Sequence, residues 1–101
     1  MTKKYIVIVS EDFSAKTKDK ITDYFQSYKA NIWHWISNIW LVIDEENLLH
    51  RNKIREDLQE IVRFGPVLIF ETSDPNLCSG IASPNQAKWI MENWINEEPQ
   101  F

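Results

Sequence analysis

Few side chains here are equipped for chemistry, and His34, held between Trp33 and Trp35, is the foremost. An imidazole titrates near ~6.5, which suits general acid–base work or metal ligation. That role needs a Cys, His or carboxylate at ligand spacing, and none stands there. A hydrogen-bonded structural or interface histidine is the competing reading. Asp12 is the other candidate, a carboxylate closing the first apolar run at Ser10-Glu11-Asp12-Phe13. Aspartate at such a place commonly accepts backbone N–H bonds in a turn before a helix. Glu11 beside it adds little, because neighbours in extended chain point opposite ways. His50, at a helix start, reads as solvent-exposed. The single cysteine, Cys78, rules out an internal disulfide and suits a reducing cytoplasm. No histidine is near it in sequence, so it reads as a small, partly buried thiol rather than a nucleophile. There is no glycine-rich phosphate loop, no Cys-x-x-Cys and no His-Glu-x-x-His. A Ser-His-Asp arrangement cannot be argued from spacing alone.

The tryptophans around His34 raise a different question. Trp33, Trp35 and Trp40 lie close together in a β-rich segment. Tryptophan is a large apolar plate with one N–H that wants a partner, so such a cluster is core or contact surface. It could also stack bases, but base platforms are interleaved with Lys or Arg, and none occurs between Ala30 and Leu49. Packing in a core or dimer is the favoured role. Charge agrees: 11 basic against 15 acidic residues leave −4, which disfavours a chain devoted to gripping phosphate backbones. Lys3, Lys4, Lys16, Lys18 and Lys20 still leave room for a local basic patch. With 101 residues, 44% of them hydrophobic, residues 1–101 read as one folded domain. No run approaches the ~18 apolar residues of a membrane span. No signal peptide is read at the N-terminus, so the expected setting is cytoplasmic with no membrane partner.

The elements that must position these groups follow from periodicity. Lys4 to Ser10 is a continuous β-branched run, expected to be a central strand covered on both faces. Ser14 caps a helix with Ile21, Tyr24, Phe25 and Tyr28 on one side. Asn31 to Asp44 is too long for one strand and divides at Ser37-Asn38. A second helix runs from about His50 to Phe64, with Ile54, Leu58, Ile61 and Val62 as its stripe, and Gly65-Pro66 stops it. Val67 to Glu71 is the next strand. A loop follows over 73–82, and Ser83-Pro84-Asn85-Gln86 opens a C-terminal helix over about 84–96. Its apolar side is Ala87, Ile90, Met91, Trp94 and Ile95.

Strand, helix, strand, strand, helix, strand spells an α+β, ferredoxin-like βαββαβ core with an antiparallel sheet, over about 4–72, plus an added C-terminal helix. Two helices cover one sheet face in that arrangement. The other face is left for a partner, a ligand or the added helix.

The motif order also resembles a family. A first strand ending at Asp12 precedes Trp33-His34-Trp35-Ile36-Ser37-Asn38-Ile39-Trp40-Leu41-Val42. A helix with Ile54-Arg55-Glu56-Asp57-Leu58, the strand Val67-Leu68-Ile69-Phe70 and Ser79-Gly80 before Ala87-Lys88-Trp89-Ile90 follow. This is similar to stand-alone relatives of the small ferredoxin-like CRISPR-associated adaptation protein, the subunit partnering the CRISPR integrase in antiviral defence. The virulence-associated RNA-cleaving toxins share the architecture. The resemblance implies a homodimer joined through sheet faces or edges. It also implies, in nuclease members, a divalent ion (Mg²⁺ or Mn²⁺) held by the aspartate that ends the first strand, here Asp12, one from each copy. RNA or DNA is then the expected substrate, with Asp12 and His34 the candidate catalytic residues. The alternative is a non-catalytic dimerisation or adaptor protein that binds a protein partner through its tryptophan-rich surface.

Overall fold

In the computed structural model, residues 2–72, 80 and 82–95 are described. The β-branched run forms β1 (Lys3–Val9), and Ser14 caps α1 (Ala15–Ser27) by accepting the Thr17 N–H. The tryptophan segment divides into β2 (Asn31–Ile36) and β3 (Ile39–Asp44) at Ser37-Asn38, where the sequence predicts it. Next come α2 (Arg51–Val62), β4 (Val67–Thr72) and α3 (Pro84–Trp89), which runs on into a π-helical turn at Ile90–Trp94. The strands lie in the order β2-β3-β1-β4, each antiparallel to its neighbours. This is the ferredoxin-like arrangement: β3 sits between β1 and β2, and β1 between β3 and β4.

The main core lies between the sheet and α1 and α2. Tyr5, Val7, Val9, Trp40 and Val42 meet Ile21, Phe25, Ile54 and Leu58, all buried. The two helices are tied by the Tyr24 hydroxyl, which donates to Asp57 Oδ2 at 2.6 Å. Asp44, 1% exposed, is satisfied by the Leu48 and Leu49 N–H groups at 3.0 and 2.8 Å, fixing the turn after β3. α2 ends earlier than the pattern predicts. Arg63 already has φ +60, Gly65 has φ +107, and the second of these is the turn only glycine adopts freely.

β1 is less enclosed than its composition predicts. Tyr5, Val7 and Val9 are buried, but Ile6 and Ile8 on the opposite face are only half-buried. The C-terminal helix covers part of that face. Ser83 and Gln86 make the expected capping box. Beyond Trp89 the helix widens, with the Ile95 N–H reaching the Ile90 carbonyl at 3.0 Å. Residues five apart then share one side, and Ile90, Trp94 and Ile95 all become buried against Trp33 and Ile43. Cys78 and the loop around it lie outside the described residues.

Candidate functional site

Alternation along the strands defines two unlike faces. Because Tyr5, Val7 and Val9 face the helices, Lys4, Ile6 and Ile8 must line the other side. Register extends this face across the sheet: Ile6 is opposite Leu41 and Phe70, and Ile8 is opposite Ile39 and Leu68. On the far side Trp33 is opposite Leu41 and Ile36 opposite Ile39. The C-terminal helix seals the half carrying Trp33, Leu41 and Ile43. The other half is open, leaving Ile36 48%, Leu68 55% and Phe70 52% exposed. Single exposed apolar side chains are ordinary on a protein surface, but neighbours on one face form a contact patch.

The tryptophans do not form that patch. Trp40 is wholly buried between the sheet and the two long helices, and Trp33 is buried beneath the C-terminal helix against that helix's own Trp94. Their ring N–H groups are satisfied locally: Trp40 donates to Thr22 Oγ1 and Trp33 to the Gln86 carbonyl, both at 3.0 Å. Trp89 donates to Asn31 Oδ1 at 2.9 Å, while the Asn31 amide donates to Asn93. Trp35 alone among the residues from Trp33 to Trp40 presents a mostly exposed indole, at 59%.

His34 sits at an irregularity. Trp33 pairs with Leu41 and Ile36 with Ile39, so His34 and Trp35 together oppose the single Trp40. This is a β-bulge. The imidazole stacks on the Trp40 indole with centroids 4.0 Å apart and planes 5° from parallel. Its Nδ1 lies 2.9 Å from the Ile39 carbonyl, which can only accept, so Nδ1 carries the hydrogen. In the neutral ring Nε2 is then the basic nitrogen. Stack and hydrogen bond together hold the ring in place.

Asp12 is exposed and lines a cleft of about 350 Å³ at the end of β1, with Ser10, Glu11, Asn38, Pro66 and Leu68. The loop is built by the Phe13 N–H on the Ser10 carbonyl and the Asp12 N–H on Ser10 Oγ, each at 3.2 Å. Lys18 ties it to the β2–β3 turn, reaching the Glu11 carbonyl and Ser37 Oγ at 3.3 Å. His34 is not among the cleft's lining residues. Among the described residues no three His, Cys, Asp or Glu side chains gather into a cation site within one copy.

Lys4 is nearly buried, 5% exposed, and burial lowers its pKa from the ordinary lysine value. Its Nζ donates to the Trp94 carbonyl at 2.7 Å and lies 6.0 Å from that indole's centroid. It therefore anchors the end of the covering helix. His50 has a role that sequence reading missed: its Nδ1 accepts the Asn52 N–H at 3.1 Å and caps α2. Its position just before the helix was the available signal. Among the described residues, no helix is long and apolar enough to cross a membrane. No protein-family model matches the chain, and no curated protein or solved structure matches it.

Proposed function

We propose that this chain is a homodimeric adaptor that presents the open half of its sheet to another polypeptide. The observation that carries the reading is the apolar row Ile36, Ile39, Ile8 and Leu68 across the sheet, with Ile36, Leu68 and the adjacent Phe70 at about half exposure, beside a part of the face sealed by the chain's own helix. The sealed half illustrates what such a surface accepts: aliphatic and aromatic side chains, with amide and lysine hydrogen bonds at the rim. Covering the open half gains roughly 25 cal/mol for each Å² of apolar surface removed from water. Sedimentation equilibrium at high micromolar concentration should give about twice the 12.0 kDa chain mass, with little dependence on salt. A monomer under those conditions overturns the reading.

The Asp12 cleft favours a second reading, metal-dependent cleavage of RNA or DNA. Asp12 and Glu11 line it beside Ser10 and Asn38, so oxygen-bearing side chains border one part of a cleft otherwise lined by Ile8, Val9, Pro66 and Leu68. Among the described residues one copy brings too few carboxylates together, so two copies would have to share a Mg²⁺ or Mn²⁺ across a dimer axis. Occupancy by Mg²⁺ would raise the melting temperature by mass action, and Asp12→Asn would cancel both that rise and metal-dependent cutting. Melting that does not respond to millimolar Mg²⁺ or Mn²⁺ sinks this second reading and leaves the adaptor reading in place.

A further inference from the structure

The two edges of the sheet differ in a way that bears on how copies join. β2 is interrupted by the bulge at His34-Trp35, which breaks the ladder and twists an edge away from intruders. β4 has no such guard. It pairs with β1 in unbroken register from Val67 to Thr72, contains no proline or lysine, and has Glu71 as its one charge.

The outward hydrogen-bonding groups of β4 can be identified. The Ser10 N–H donates to the Pro66 carbonyl at 3.3 Å, so Pro66 directs its backbone toward β1. Backbone direction alternates along an antiparallel strand. Leu68, Phe70 and Thr72 therefore also bond inward, while Val67, Ile69 and Glu71 direct N–H and C=O to the outer edge. The Val9 N–H bond to the Asn38 carbonyl, at 2.9 Å, gives the same phase from the other side of β1. Among the described residues no strand pairs with this edge.

We infer that two copies join edge to edge through β4, antiparallel about a two-fold axis at Ile69, to make one eight-stranded sheet. This rests on the dimer reading above and specifies its surface. A two-fold at Ile69 sets Ile69 against the partner's Ile69 and Val67 against the partner's Glu71. These are the three residues with outward backbone groups, so each exchanges both of its bonds. Between them Leu68 falls opposite the partner's Phe70, as a close non-hydrogen-bonded pair on the open face. The two half-exposed side chains thereby cover one another. A single chain of this sequence is its own complement here, because the apolar residues at 68 and 70 are symmetric about 69. The strand contact is small against the ~1,600 Å² of a standard interface, so the dimer should be concentration-dependent.

Two variants separate this geometry from its rivals. Ile69→Pro deletes an N–H that no strand among the described residues pairs with, and proline is tolerated on an edge strand with its nitrogen turned outward. Leu68→Lys places a charge on the open face at a half-exposed position. Edge pairing expects the wild type to be a dimer at high micromolar concentration by sedimentation equilibrium, and both variants to be monomers with wild-type near-ultraviolet circular dichroism. Should Ile69→Pro fail to fold, Glu71→Pro makes the same deletion at an exposed side chain and must also be a monomer. A dimer that survives folded Ile69→Pro or Glu71→Pro but not Leu68→Lys is packed face to face; it overturns the edge geometry and retains the homodimer. A dimer indifferent to all of these overturns the edge geometry as well, and a monomeric wild type overturns both.

Discussion

Replacing Trp40 with alanine should remove a large part of the stability of this domain. The indole is fully buried in the core, donates to Thr22 Oγ1 at 3.0 Å, and carries the stacked His34 ring at 4.0 Å. Truncating a buried aromatic costs about 3–5 kcal/mol through lost transfer free energy and the cavity left behind. The hydrogen bond accounts for about 1 kcal/mol of the total, and Thr22→Val, which leaves the buried indole N–H without its partner, should by itself cost about 1–3 kcal/mol. Trp40→Phe keeps a ring against His34 while losing the N–H and part of the volume, so it should fall between, at about 2 kcal/mol. A domain of this size has about 5–15 kcal/mol in all, so the alanine variant sits near the edge of folding. Urea unfolding followed by far-ultraviolet circular dichroism, at one protein concentration for every variant, gives the three differences. A loss below about 1 kcal/mol for Trp40→Ala would refute the placement of this indole in the core.

Gly65→Ala should destabilise the chain by about 2 kcal/mol or more, since φ +107 is strained for any L side chain and its Cβ would run into the Phe13 ring; chemical denaturation showing no loss would mean the turn is not formed as described. Burial first, then the Glu71 and Asp44 charges, push the Tyr5 phenol up to about 12. The unfolded chain ionises near ~10, so the folded state holds the proton longer, and up to about 3 kcal/mol of stability should disappear as pH rises from ~10 to ~12. Tyr5→Phe should lose less over the same interval, and identical alkaline profiles by urea unfolding would exclude a buried phenol.

The order of elements was legible because it depends on local signals. β-branched runs, the stripes of the two long helices, the Ser83-Pro84-Asn85-Gln86 start and the polar break at Ser37-Asn38 each act over a few residues. Together they specify an α+β chain with a βαββαβ core. Asp12 and His34 could also be singled out by residue type. Their surroundings could not, because those are set by contacts distant in sequence: Asn38 and Pro66 come to the Asp12 cleft from other strands. The tryptophan segment read as core or contact surface, and only register assigned its three indoles to three environments. Trp40 faces the helices, Trp33 faces the C-terminal helix, and Trp35 lies at the bulge. A one-residue insertion changes which side chains face which way, and composition carries no record of it. An uncovered second face was legible from the element order, but how much of it the added helix would seal was not. Val67-Leu68-Ile69-Phe70 reads as uniformly apolar, so local pattern predicts a strand covered on both sides. Where the covering helix ends, and therefore that Leu68 and Phe70 remain in water, was decided by tertiary packing alone.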